Sequence, residues 1–532
     1  MTRVTSPAVA TRAAGREVQP PSPIERRPRM TWREWLAVLA VTGFGGFIRF
    51  WHLGRPSTLV FDETYYVKQG WSMIKAGYEL AWQGKGEEVD PRWNRGDIDV
   101  FTSSPDFVVH PPVGKWMIGL GEWIFGPTSS FGWRFSSAVI GTLSILMLTL
   151  IARRLFGSTL LGVLAGLLLA IDGEHFVHSR TGLLDIFVMF WALAAFGCVL
   201  IDRDIGRRRL ALRASAEFAD REQRTADSWS WWLGVRWWRI AAAVCLGLCA
   251  GTKWSGLYFA VAFGLATIFW DMGARRAAGL RHWFAGSLIW GALSGLGMLL
   301  VASATYLASW TGWFLSSDGY DRHWARDNPG QGFTFLPSAL RSLVHYHQQM
   351  YDFNIDLAAY HPYMANPWSW LVMGRPTAFY YEGPKLGEKG CTVATCSQAI
   401  TALGNPVIWW GAALGIVVLL FRWVLRRDWR AGAVLAGLAG GYLPWFQYQQ
   451  RTIFNFYTIA FTPWVVLTVV YVLGLILGRS SDTARRRRTG AWIAGALVLL
   501  AVLSFWFFLP IYTAQVIPQS SWSDRMWLPS WI

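Results

Sequence analysis

The chain has 532 residues, of which 53% are hydrophobic and only 15% are charged, against roughly 25% charged in a soluble globular protein. Runs nearly free of charge, such as 284–308, 404–421 and 455–478, each approach the ~20 residues that cross a bilayer core, which excludes one large soluble core. The formal charge of +16 invites nucleic acid as a partner, but Arg clusters at Arg26–Arg27, Arg207–Arg209, Arg275–Arg276, Arg426–Arg427 and Arg485–Arg488 sit at alternate loop ends, a topology signal with anionic lipid as its partner.

Along the chain, Met1–Thr31 is rich in Pro and Arg with no apolar stretch, so residues 1–33 read as a disordered cytoplasmic tail rather than a cleaved signal. Eleven spans are predicted, at 35–51, 131–152, 158–172, 182–202, 239–253, 256–271, 284–308, 404–425, 431–447, 455–478 and 490–511. The expected fold is therefore an all-α polytopic membrane protein with its body over 34–512. The loops after Ile151, Ile201, Trp270, Leu425 and Gly478 carry Arg clusters and are placed inside. The loops 52–130 and 310–403, with the tail 513–532, then fall outside. In the first, residues 65–80 suit a surface helix with Tyr66, Trp71 and Ile74 against lipid. A second helix is predicted after His110-Pro111-Pro112, since Pro is tolerated in a first turn. The loop 310–403 is too long for a mere connector. Cys198, Cys245 and Cys249 lie in apolar runs and read as small hydrophobes. Cys391 and Cys396 lie in an outside loop, where a disulfide is allowed.

The acid pair Asp62–Glu63 follows the first span. It reads either as solvated loop acids or as a site, and the site reading is favoured by the flanking Phe61, Tyr65 and Tyr66 at the membrane surface. Adjacent helical residues face different ways, so the two carboxylates are expected to do different jobs. His110 and Lys115 form a second candidate, read either as a helix start with a snorkelling Lys or as an anion site. Arg134, Arg180, Asp185 and Lys253 lie at predicted outer ends of spans, where ionisable groups mark function by default; interfacial anchoring, or an Asp185–Arg180 pair, is the plainer alternative. Arg451 breaks the rule that outside loops avoid Arg, so it needs a partner, and a lipid phosphate is a good one. Cations gathered at one face near one carboxylate suit transfer of a sugar from a lipid-linked phosphate. The phosphate leaves without a general acid, so one base near the acceptor hydroxyl suffices, and an Asp beside cations is expected to keep a low pKa. No His, Cys, Asp and Glu cluster has metal-ligand spacing, so no metal and no cofactor are expected.

Phe61-Asp-Glu-Thr-Tyr-Tyr66, His110-Pro-Pro-Val-Gly-Lys115, Arg134-Phe-Ser-Ser-Ala138, Arg180-Thr-Gly-Leu-Leu-Asp185 and Gly251-Thr-Lys-Trp-Ser-Gly256 occur in that order. Together they resemble the protein O-mannosyltransferase family, and its actinobacterial branch in particular, over about 35–512. The resemblance implies a GT-C glycosyltransferase of the bacterial inner membrane. Its donor would be polyprenyl-phosphate-mannose and its acceptors Ser or Thr hydroxyls of secreted proteins, with inversion at the sugar. It implies Asp62 as base, Glu63 shaping the site, and Arg134, with Arg180 and Lys253, on the donor phosphate. Outward-facing chemistry adds the secretion translocon as an expected partner. The loop 310–403 is too short for the β-trefoil module of eukaryotic members, which leaves acceptor choice to the membrane body and this loop. A GT-C enzyme with a lipid or envelope-glycan acceptor, or a transporter, are the competing classes; a transporter would show inverted repeats and broken mid-membrane helices, and neither is evident.

Overall fold

Polar residues at the borders of the apolar runs decide where the helices begin. In the computed structural model, which describes residues 29–219 and 233–532, Thr31 and Glu34 form a reciprocal capping box at the start of α1 (Trp32–Phe50). The predicted cytoplasmic tail lies, but for its last positions, outside the described residues. After α1 the chain makes an excursion through α2 (Glu63–Ala76), β1 (Leu80–Trp82), α3 (Gly86–Asn94), β2 (Phe101–Pro105) and α4 (Val113–Phe125). It returns through α5 (Ser130–Phe156), capped by Ser129, α6 (Thr159–Ala170), capped by Ser158, and the short α7 (Gly173–His178), capped by Asp172. Then come α8 (Asp185–Ala219), α9 (Trp237–Ala250), α10 (Gly256–Ala277) and α11 (Trp283–Ser309). A second excursion carries α12 (Thr311–Leu315), α13 (Trp324–Asp327), α14 (Ser338–Asp356), β3 (Thr377–Glu382) and β4 (Cys396–Ala402). It is followed by α15 (Pro406–Arg426), α16 (Trp429–Tyr442), α17 (Thr462–Leu477), α18 (Ala484–Tyr512), β5 (Val516–Pro518) and α19 (Gln519–Ser523).

A helix lies over each of the eleven apolar stretches. Among the described residues, seven helical segments are long and apolar enough to cross a membrane: α5, α8, α10, α11, α15, α17 with its preceding 3-10 turn Asn455–Phe461, and α18. α6 and α9 are shorter apolar helices. α5, α8 and α17 are largely buried inside the bundle, whereas α10, α11, α15 and α18 leave most of their surface exposed. On these four helices the apolar exterior is what lipid would cover. α8 continues well past the predicted end near 202.

Two features depart from the sequence reading. Tyr66 faces inward and is only 7% exposed, so it cannot lie against lipid, while Trp71 and Ile74 are half-buried. The cause is close packing of α2 on α4: a Cβ at Gly119 would sit 2.7 Å from the Gly70 carbonyl oxygen, so two glycines let the helices touch. The all-helical body also carries two small antiparallel sheets, β1-β2 and β3-β4-β5. In the second, Thr377 pairs with Ala402 and Cys396 with Pro518, and a disulfide joins Cys391 to Cys396. Residues 513–532 are thus tied to the second excursion, and buried Trp531 donates its indole N–H to the Met373 carbonyl at 2.7 Å.

Candidate active site

Glu63 opens α2 but turns its carboxylate back into the protein. It is fully buried with Arg134, whose Nε and Nη2 each donate to it at 2.8 Å. The Val60 amide donates at 3.0 Å and the Gly182 amide at 2.8 Å. The rest of the Arg134 guanidinium bonds the carbonyls of Pro56 at 2.7 Å and Thr58 at 3.0 Å. This forked pair therefore rivets the loop after α1 to α5 and to the turn before α8. Its donors are filled, so Arg134 is not free to hold a donor phosphate, contrary to the expectation above. Arg180 bonds the carbonyls of Arg49 at 2.6 Å, Trp51 at 2.7 Å and His52 at 2.9 Å, closing the C-terminal end of α1. Lys115 is buried in an ion pair with Glu79 and donates to the His110 carbonyl at 2.8 Å, so it is not an anion site either.

Asp62 is half-buried at the N-cap of α2, and the Tyr66 hydroxyl donates to it. Burial pushes its carboxyl up to about 6; Lys253 pulls it down, Asp185 pushes it up and the Tyr66 bond pulls it down. Desolvation thus outweighs the cation, and the expectation of a low pKa is overturned. Lys253 pairs with Asp185 at 2.6 Å, so Asp185 is not the partner of Arg180. The Lys253 ammonium lies between two rings, 5.9 Å from Tyr66 and 5.6 Å from Tyr457.

Lys253, Asp185 and Tyr457, with His110 and Arg451 among others, line a cavity of about 250 Å³, and Asp62 and Tyr66 stand outside its lining. Burial, with Lys253, Lys115 and Arg451 adding, holds the His110 imidazole well below its usual range and neutral. Arg451 donates to Asn354 Oδ1 at 2.9 Å, while its Nε is buried without a partner among the described residues. A buried donor left empty is costly, and an anion satisfies it. The cavity shares Trp254, Leu257 and Tyr351 with a second, almost wholly apolar groove of about 870 Å³ between α9, α10, α11 and α14. Charge, ring and groove together suit an amphiphile with a phosphate head and a long hydrocarbon tail. Of the residues singled out from sequence, Lys253, Asp185, His110 and Arg451 converge here, with Asp62 coupled to them through Tyr66. Tyr457 and Asn354 had no signal beyond lying in a polar-aromatic loop and helix. No three His, Cys, Asp or Glu side chains gather as a metal site among the described residues.

Family models for "dolichyl-phosphate-mannose-protein mannosyltransferase" and for the "C-terminal four TMM region of protein-O-mannosyltransferase" match residues 109–311 and 339–531. The polyprenol-phosphate-mannose–protein mannosyltransferase of Mycolicibacterium smegmatis is 37% identical over 509 residues, covering 93% of each chain. Those of Mycobacterium tuberculosis and Corynebacterium glutamicum are 36% and 33% identical, covering 94% and 96% of this chain and 92% and 96% of theirs. Among solved structures, a chain of the Saccharomyces cerevisiae Pmt1–Pmt2 complex bound to its sugar donor superposes with a TM-score of 0.68 at 15% identity, covering 95% of this chain and 93% of that one. It has the same fold.

Proposed function

The chain belongs to the protein O-mannosyltransferase family, and from that membership we propose how its cavity performs the transfer. The protein is a multi-pass membrane glycosyltransferase, a polyprenol-phosphate-mannose–protein mannosyltransferase. In the proposed arrangement the prenyl chain occupies the apolar groove and the phosphate meets Lys253 and Arg451. Asp62 takes the proton of a Ser or Thr hydroxyl as its oxygen attacks C1 of the mannose. The C1–O bond to phosphate breaks as the new bond forms, so the configuration inverts in one displacement. The prenyl phosphate leaves as a stable anion and needs no proton. What carries this reading is the unfilled, buried Nε of Arg451, which with Lys253 lines the polar cavity that joins the apolar groove at Trp254, Leu257 and Tyr351.

The rest of the proposal concerns setting. Eleven spans, a cytoplasmic N-terminus and a site on the outer face of the bacterial inner membrane follow from the Arg-rich loops. Secreted chains still unfolded at the translocon are the acceptors, anionic lipid surrounds the inner loops, and transfer needs no metal. Purified protein given mannosyl-phosphoprenol and a Ser/Thr-rich peptide, with EDTA present, should label the peptide; label on lipid or glycan alone would overturn the acceptor assignment.

Two quantitative expectations follow. With ionised Asp62 as the base, kcat/KM holds above about pH 6 and falls by about tenfold per unit below it, as protonation removes the acceptor of the proton. A pH profile flat to pH 4 would count against Asp62. Lys253→Ala removes a charge from the leaving phosphate and should cost about 10²-fold in kcat/KM, with a higher donor KM. It should also move the acid limb upward, because Lys253 holds the Asp62 value down.

A further inference from the structure

Phe61 immediately precedes Asp62 and has φ 47, a left-handed conformation that bulky side chains avoid. Such a residue persists only where its surroundings over-determine it, and such residues cluster at functional sites. Here the surroundings are rings. Phe61 lies parallel to Phe379, with centroids 4.7 Å apart and planes 11° from parallel. Phe456 meets it edge-on at 5.3 Å and Phe454 at 6.4 Å. The His178 ring backs this clamp, 5.4 Å from Phe379 and 5.9 Å from Phe456. Phe379 is buried on β3, which pairs with β4, which in turn pairs with β5. The backbone turn that aims Asp62 is therefore gripped by a strand more than three hundred residues further along the chain. Stacking of this kind fixes orientation as well as burying area.

We infer that Phe379 is a positioning residue for the transfer: it acts through Phe61 to hold the turn that aims the Asp62 carboxylate, and the β3-β4-β5 sheet holds Phe379 in place. The inference rests on Asp62 being the base. The groups facing Asp62 are Lys253 after α9, Asp185 on α8, Tyr65 and Tyr66 on α2, and Tyr457 in the 3-10 turn before α17. Phe379 is uncharged, so removing its ring changes Asp62 through hydration and aim alone.

The test uses the full-length protein in mild detergent with mannosyl-phosphoprenol and a Ser/Thr peptide. Phe379→Ala should lower kcat at least about tenfold, since displacements near 1 Å cost that much or more, with donor KM unchanged. Its acid limb should move to lower pH, because water reaching Asp62 relieves the desolvation that raises it. Phe379→Tyr keeps the ring and should restore most of the rate. If Phe379→Ala is recovered unfolded, Phe379→Leu keeps the bulk without the ring plane and is read the same way. A folded Ala or Leu variant with the wild-type acid limb, or a Tyr variant as slow as the Ala variant, overturns the positioning role. Asp62→Asn separates the two failures: if it is inactive while the limb of Phe379→Ala stays put, only the positioning role falls. If it turns over at the wild-type rate, the base assignment falls as well.

Discussion

Asp62→Asn should give a folded, donor-binding protein whose turnover is reduced by about 10²–10⁴-fold, the range that a positioned general base contributes. The substitution keeps the size of the side chain and one oxygen able to accept the Tyr66 hydroxyl bond. It leaves the Glu63–Arg134 fork untouched. What it removes is the capacity to take a proton as the acceptor oxygen attacks. Binding of a labelled prenyl phosphate should be unchanged within about twofold, because Lys253 and Arg451 remain, and one lost contact changes affinity by tenfold only when it costs about 1.4 kcal/mol. Turnover within tenfold of wild type would sink the assignment.

Glu63→Ala should fail in a different assay. Breaking one side of a buried ion pair costs about 3–5 kcal/mol, because the remaining charge is left without compensation. Here the remaining charge is Arg134, at 0% exposure, and the Val60 and Gly182 amides lose their acceptor with it. The expected outcome is a fall in the thermal midpoint and in recovered folded protein. Added donor should not rescue it, since the Glu63 carboxylate is fully buried in its fork with Arg134. Glu63→Gln should be milder, because an amide still accepts from one or two of these donors. A variant Glu63→Ala as stable as wild type would show that the rivet contributes nothing to the fold. The neighbouring acids are thus distinguished by assay: one loses rate with the fold intact, the other loses the fold.

The helices and their borders were legible because hydrophobic run length and capping residues are local properties. Arg451 was legible for a similar reason, as a charge in a place that charge usually avoids. The roles of Arg134 and Arg180 were not. Both look like free cations at the ends of spans, and only folding shows that Arg134 bonds Glu63, 71 positions before it, or that Arg180 bonds carbonyls near 49–52. Tyr66 was assigned to the wrong face because the α2 pattern alone does not reveal that two glycines bring α4 against it. The β3-β4-β5 sheet was missed because its strands are short and one of them comes from beyond α18. The Asp62 pKa followed the same logic: neighbouring cations can be guessed from sequence, whereas the depth of burial, which decides the sign, cannot.

The apolar groove has a kinetic consequence. Its wall residues Leu257, Val261 and Leu299 are each more than half exposed on α10 and α11, so the groove is continuous with the apolar exterior that lipid would cover. A prenyl-linked substrate would arrive by two-dimensional diffusion in the bilayer plane. The quantity that governs its arrival is then its mole fraction among the lipids, not its molarity in the vial. Diluting the donor with inert phospholipid at constant total concentration should slow the enzyme, while diluting the whole suspension with buffer should leave the rate per enzyme unchanged.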